Sequence, residues 1–446
     1  MNHTKSSLVF IVAIVLLQSV YFFIALQCGH IYNGDSFEYI QEAINIKEQF
    51  FFYSGNRVLP LSPEYMTLRT PGYPLFLLAV YLMGINNWVV LFLQNLICLF
   101  NILYCRQTLQ LLGYQPKYDA WLVLFLLFFP SQFVYTNLMA PDILLQTCTL
   151  IYFRYAVLFL KERQSNYTWY MAAALIAGLF IKPVLYPFAA IHLLMIIIYS
   201  LVCKSLKLKS VLATALLPLM CIGMYSYGNK IRTGKFHFSS IQSFNAIFYY
   251  QRYFSDKVNA LQGASFIEQE RSAIAKLPAF ADRYDRANAR GIELLRSNFV
   301  PYISYHLGKS CMFFLETGRG ELDEFTGRST LGKLYSGKSK KFITFIRESN
   351  SKELIHYLKN NTIVLFALGI LFVNILKIIG MLFFLIKAPV APVVKWFTVL
   401  FILYFALITG PISNAHYVLP ISLIGMCCSI TGFMLILRKT PGTLKT

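Results

Sequence analysis

Charge is what this 446-residue chain has least of. Asp, Glu, Lys and Arg make up 13% of it, against ~25% in an ordinary soluble domain. That shortage excludes a conventional water-soluble fold. Short alternating apolar segments, the mark of a membrane β-barrel, are also missing. No C-x-x-C pair occurs among the nine cysteines, and the seven histidines form no H-x-x-x-H or H-E-x-x-H. With no D-x-D pair either, no motif argues for a divalent metal, so no metal is expected. No internal repeat or low-complexity tract is present. Most cysteines (Cys98, Cys105, Cys148, Cys203, Cys221, Cys427, Cys428) fall inside apolar runs and read as small packing residues. Cys28 and Cys311 fall on one expected side of a membrane, but sequence alone does not decide whether they pair.

Acid is scarcer than base: 20 carboxylates against 40 Lys and Arg, a formal net charge of +20. Nucleic acid is not the expected partner. The bases lie largely between apolar runs, where topology and lipid headgroups account for them, and no nucleic-acid motif accompanies them.

What the chain has is hydrophobic length. Apolar residues make up 57% of it, and runs near the ~20 residues needed to cross a bilayer recur. The expected fold is an all-α polytopic membrane protein with ten spans, at about 8–27, 88–108, 118–137, 142–160, 168–185, 187–203, 210–227, 361–383, 394–411 and 416–437. No small-residue cleavage site follows the first run, so a retained helix is expected. Basic clusters such as Lys204, Lys207 and Lys209, or Arg438, Lys439 and Lys445, then share one side with only Asp119 and Glu162 as acids. The opposite loop, 28–87, holds Asp35, Glu38, Glu42, Glu48 and Glu64 against Lys47, Arg57 and Arg69. The positive-inside rule puts both termini in the cytoplasm. Three regions follow: 1–227, a transmembrane module; 228–360, a mostly helical extracytoplasmic domain; and 361–446, the closing transmembrane helices. Residues 36–50 and 71–84 are read as helices lying on the outer membrane surface rather than spans.

Several polar residues converge on that outer face. Asp35 stands in "YNGDSFEYIQ", with Glu38 one turn on. Arg69 and Tyr73 stand in "LRTPGYPLF", Asp142 in "NLMAPDILL", Lys182 in "GLFIKPVLYP", and His416 and Tyr417 in "NAHYVLP". Ionisable groups at a membrane boundary are functional candidates by default. A carboxylate can take a proton from an acceptor hydroxyl or amine, and cations at that depth can hold a phosphate leaving group. Each position also has a structural reading. Asp35 and Asp142 suit the first turn of a helix, Lys182 can snorkel to headgroups, and His416 can be a satisfied boundary histidine.

The order of these segments resembles the bacterial polyprenyl-phosphate-sugar glycosyltransferases of the GT-C class, the protein-mannosyltransferase and aminoarabinose-transferase group (family 39-like). "GDSFEY", "RTPGYPLF", "MAPD", "GLFIKP", "GKFHFSS" with Asn245, and "AHYVLPI" carry the resemblance, over most of 1–250 and again over 361–437. It implies sugar transfer, with inversion, from a polyprenyl-phosphate donor to a glycan, lipid or protein acceptor outside a bacterial inner membrane. Asp35 would be the base and Asp142 a second catalytic carboxylate that orients the site. Lys182 and Arg69 would bind the donor phosphate, with Glu38, Tyr73, His416 and Tyr417 near substrate. His416 departs from the family, which usually carries Arg there. The alternatives are an envelope polysaccharide polymerase or ligase and, with less support, a lipid-linked sugar transporter, which would favour inverted repeats.

Overall fold

The computed structural model describes residues 2–84, 86–203, 208–258, 262–327, 362–412 and 414–437. The described residues are helical or irregular, with no strand among them. This is the expected consequence of apolar segments that must satisfy every backbone group internally. In chain order the helices are α1 Asn2–Cys28, α2 Ser36–Gln49, α3 Gly72–Tyr81, α4 Asn87–Gln110, α5 Asp119–Leu127 and α6 Ser131–Thr136. There follow α7 Asp142–Glu162, α8 Tyr167–Ile181, α9 Phe188–Val202 and α10 Leu208–Thr233. Then come α11 Asn245–Lys257, α12 Gln262–Ala275, α13 Phe280–Ser297, α14 Phe299–Met312 and α15 Arg319–Phe325. The last three are α16 Thr362–Lys387, α17 Pro392–Thr409 and α18 Ala415–Leu437.

Among the described residues seven helices are long and apolar enough to cross a membrane: α1, α4, α7, α10, α16, α17 and α18. The other three expected spans are shorter. α8 and α9 have 15 residues each. The segment 118–137 is not one helix: Pro130, which lacks an N–H and clashes with the preceding turn, separates α5 from α6. The apolar stretch 71–84 forms only the ten-residue α3, too short to cross. The expected surface helix at 36–50 forms as α2, with an inward face that is not purely apolar. Ser36, Tyr39, Glu42, Ala43, Asn45 and Ile46 are buried while Phe37 is exposed, so α2 packs on protein through a partly polar face. Residues 328–361 of the expected outer segment lie outside the described residues. Cys28 and Cys311 are free thiols.

The broken helix is held by side-chain amides. Gln94 of α4 donates to the carbonyls of Thr136 (2.9 Å) and Leu138 (2.8 Å). Gln132 of α6 and Gln146 of α7 exchange hydrogen bonds at 2.9 and 3.0 Å. Gln146 also donates to Leu419 O (2.7 Å) and Thr149 to Pro420 O (2.8 Å). Those carbonyls flank Pro420 within α18, where the regular ladder is interrupted. Neutral amides and hydroxyls thus make the polar contacts among these helices. α16 and α18 touch backbone to backbone: a Cβ on Gly432 would lie 2.0 Å from Gly380 O. Small residues permit such approach where no hydrophobic force drives helices together.

The helices α11 and α14 are tied to the end of α17. Tyr249 donates to Ile408 O (2.6 Å) and His306 Nε2 to Leu407 O (2.8 Å). Gln146→Leu should remove both hydrogen bonds shared with the buried Gln132 amide, lowering stability by about 1–3 kcal/mol. Thermal unfolding of the detergent-solubilised protein measures this, and an unchanged midpoint would show that the amide network contributes nothing.

Candidate functional site

The loop after α1 is folded by its own polar side chains. Asn33 Oδ1 accepts from Asp35 N (3.0 Å) and from the Ser36 hydroxyl (2.9 Å). Ser36 Oγ also lies 2.8 Å from Met139 O, and Met139 N donates to Ile31 O at 2.8 Å. "NGDS" is therefore a local turn pinned to the segment that leads into Asp142. Short polar residues that bond their own backbone favour such turns.

The segment carrying Arg69 is clamped from the other side. Ser240 N donates to Thr67 O (3.1 Å) and Ser239 Oγ to Leu68 O (3.0 Å). His237 Nδ1 donates to Lys235 O (2.8 Å), which leaves Nε2 to accept from the Thr67 hydroxyl at 2.8 Å. Burial lowers the pKa of this imidazole, in keeping with that neutral tautomer. "GKFHFSS" is thus a clamp on Arg69. Gly72 completes the placement: a Cβ there would lie 2.6 Å from Phe180 O. Only glycine lets α3 rest directly on the C-terminal turn of α8, next to Lys182.

The charged residues meet in two groups, a triad and a pair. The Arg69 guanidinium bridges Asp35 and Glu38, with Nη2–Asp35 Oδ1 at 2.7 Å, Nη1–Asp35 Oδ2 at 3.2 Å and Nε–Glu38 Oε2 at 2.5 Å. It stacks 5.1 Å over the Tyr39 ring. Burial alone would lower the Arg69 pKa, but Tyr39, Asp35 and Glu38 hold it above its ordinary value. Lys182 Nζ lies 2.8 Å from Asp142 Oδ1 and 5.2 Å above the Tyr417 ring. Exposure separates the carboxylates: the Asp35 side chain is 54% exposed and that of Asp142 is 3% exposed. Asp142, favoured at the N-terminus of α7, is a buried counter-ion. Asp35 is an open one.

A cavity of about 170 Å³ is lined by Asp35, Arg69, Lys182 and Tyr417, together with Tyr39, Asn245 and Tyr249. The site residues singled out in the sequence do not all reach it. Glu38 and Asp142 do not line it and instead contact Arg69 and Lys182, which do. Tyr73 is fully buried, donating from its hydroxyl to Gln94 Oε1 (2.8 Å) with its ring edge-on to Tyr39. His416 stacks on Tyr417 with ring centroids 3.9 Å apart, its Nδ1 3.4 Å from the Tyr135 hydroxyl. Tyr39 and Tyr249 were not singled out. Tyr39 sits one turn past Asp35 on the buried face of α2, and that i, i+4 spacing was its available signal. Tyr249 comes from the outer helix α11, which no local pattern ties to the membrane site. Among the described residues no group of three or more His, Cys, Asp or Glu could hold a metal ion.

Below the cavity lies a groove of about 1370 Å³ between α9 and α17. Its walls are apolar side chains such as Ile191, Leu194, Ile198, Trp396 and Leu400. Pro187 and Ile408 line both the groove and the polar cavity, so the two spaces adjoin.

Glu42 stands apart. It is 3% exposed, and its Oε2 has no hydrogen-bond partner among the described residues. Burial pushes its pKa up from 4.5 to about 8, against the pull of Arg232 and Arg69. The native state keeps a proton that the unfolded chain gives up. Stability therefore falls as pH rises from about 4.5 to about 8. Glu42→Gln should flatten that fall, read from thermal midpoints at either end of the window; a parallel fall in both proteins would rule out Glu42 as its source. Lys182→Met leaves Asp142 as an uncompensated buried charge and should cost about 3–5 kcal/mol. The double variant Lys182→Met/Asp142→Asn should recover most of that stability, and failure to recover would show that Lys182 does more for the fold than neutralise Asp142.

No family model and no curated protein matches the chain. Two solved structures are similar to it. ArnT from Cupriavidus metallidurans bound to undecaprenyl phosphate shares 15% identity at a TM-score of 0.39, over 97% of this chain and 81% of that one. The same protein in the apo state shares 13% identity at a TM-score of 0.40, over 98% and 78%.

Proposed function

We propose that this protein is a membrane glycosyltransferase that moves a sugar from a polyprenyl-phosphate donor to an acceptor on the outer face of a bacterial inner membrane. The observation that carries the reading is the junction of the polar cavity with the apolar groove at Pro187 and Ile408. A donor with a phosphate head and a long hydrocarbon tail needs both spaces, adjoining. At 1.5 Å per residue the 15-residue α9 offers a wall of about 22 Å for the tail. The head would lie between Arg69 and Lys182.

The chemistry follows from the two groups. The acceptor hydroxyl or amine attacks the anomeric carbon, and the bond from that carbon to the phosphate oxygen breaks. The electron pair leaves on polyprenyl phosphate, and the acceptor proton passes to Asp35, the carboxylate most open to the cavity. Attack opposite the leaving group inverts the anomeric centre. Arg69 and Lys182 stabilise the charge gained by the phosphate. Glu38 and Asp142 are positioning residues that hold those two cations in place. Charge-assisted contacts in a low-dielectric pocket are stronger than in water, which is why both cations sit largely buried.

Protein in nanodiscs given radiolabelled polyprenyl-phosphate sugars should release free polyprenyl phosphate. Asp35→Asn should slow release at least ~10²-fold, the scale of a lost general base, with unchanged thermal unfolding. Wild-type turnover in Asp35→Asn would overturn its assignment as the base. No release with any monosaccharide donor would favour the polymerase or ligase reading, in which the donor carries a longer glycan.

A further inference from the structure

The apolar groove between α9 and α17 has a second end, away from the catalytic cavity. From Val393 to Ile408 it follows α17 for about 22 Å, most of the ~30 Å of a bilayer's hydrocarbon core. A groove of that length is open to chains from both leaflets. At the far end its lining changes. Lys161 and Arg163 stand there, beside Tyr199 and Val202. Trp396, near the start of α17, lines the same end and is 61% exposed. Tryptophan is enriched where headgroups meet hydrocarbon, so this end lies at a membrane–water boundary.

Arg163 stands there in an unusual backbone conformation. It follows the last turn of α7 with φ 57° and ψ 31°, the left-handed region where glycine is the usual residue at a helix end. The helix dipole does not require an arginine at that point. Lys161, in the last turn of α7, already supplies a cation from regular helix. Nor does an ion pair account for it. Among the described residues no carboxylate lies within ion-pair distance of Arg163. The adjacent Glu162 accepts from the Tyr167 hydroxyl at 2.6 Å, and Lys161 Nζ donates to Leu111 O at 2.9 Å. The group that Arg163 does meet is neutral, the Tyr199 hydroxyl, which itself donates to Leu160 O at 2.8 Å. Backbone strain held at an exposed residue points to a role outside the fold. An apolar slot that ends in an unpaired guanidinium at headgroup level fits a ligand with a hydrocarbon chain and an oxyanion, which arginine grips with two parallel N–H donors.

We infer that this end of the groove binds a bilayer phospholipid with an anionic headgroup, one acyl chain lying in the groove and the phosphate on Arg163. The site serves the leaflet opposite the catalytic cavity, so it is separate from the donor's head and does not rest on the transferase reading. The test uses the full-length protein in phosphatidylcholine nanodiscs doped with phosphatidylglycerol, with retained lipid counted by native mass spectrometry. One phosphatidylglycerol, held at least ten-fold more tightly than phosphatidylcholine, is expected. Arg163→Lys should keep part of that preference. Arg163→Gly should abolish it and yet raise the thermal midpoint in phosphatidylcholine alone, because glycine takes the left-handed backbone without strain. Val393→Trp, which narrows the mouth of the groove and leaves Arg163 in place, should weaken retention at least ten-fold. No preference over phosphatidylcholine, or a preference unchanged in Arg163→Gly, would overturn the site. Loss of preference with a lowered midpoint would make Arg163 a residue of the fold and overturn it too. Retention unchanged in Val393→Trp would put the lipid outside the groove. Displacement by an equal concentration of glycerol 3-phosphate would make the ligand a free phosphate and overturn the lipid assignment.

Discussion

The ion pair between Lys182 and Asp142 is the constraint around which the outer end of the bundle is arranged. It joins the start of α7 to the end of α8 at the edge of the apolar core, where neither charge could stand alone. With Asp142 almost wholly buried, Lys182 has one place to be, and its ammonium is held against the Tyr417 ring. That brings the first turn of α18 to the cavity. It also leaves the carboxylate across the cavity, Asp35, as the one still open to a ligand. A pair that merely compensates itself would add little net stability; here it fixes a cation beside an open carboxylate.

Elsewhere the helices are tied by one further ion pair, Arg106 to Asp119, and mostly by neutral groups. Amides perform the connections between α4, α6, α7 and α18, through Gln94, Gln132, Gln146 and Asn101. An amide both donates and accepts, so two of them can close on each other and still cap a carbonyl. This suits a bundle with irregular segments such as 137–141 between α6 and α7, whose carbonyls Gln94 caps. The amides near the outer end also set the floor beneath the site, since Gln94 supports Tyr73, whose ring in turn packs against Tyr39.

Much of this was legible in the sequence, for reasons that differ by element. Long uniform apolar runs such as 8–27 and 416–437 announce themselves because composition alone decides their fate. That Asp35, Arg69, Asp142 and Lys182 share one end of the bundle was legible because membrane topology sorts residues by side. What sequence could not supply was pairing. That Arg69 meets Asp35 and Glu38, and Lys182 meets Asp142, depends on Gly72 admitting α3 against α8, a contact between segments more than a hundred residues apart. The break at Pro130 was hidden by apolar residues on both sides of it. Glu42 was counted among the acids of a solvated loop, but α2 turns it inward. Tyr249 belongs to a helix whose attachment to α17 no local periodicity records.

The contact at Gly72 has a mechanical consequence. A helix that touches another through side chains can slide, because rotamers yield. Here backbone meets backbone with nothing compressible between them, so α3 and the end of α8 behave as one rigid bracket. Arg69 hangs from one arm and Lys182 from the other. The spacing of the two cations is therefore set by main-chain geometry, like the jaws of a fixed spanner, and whatever they hold must match that gap.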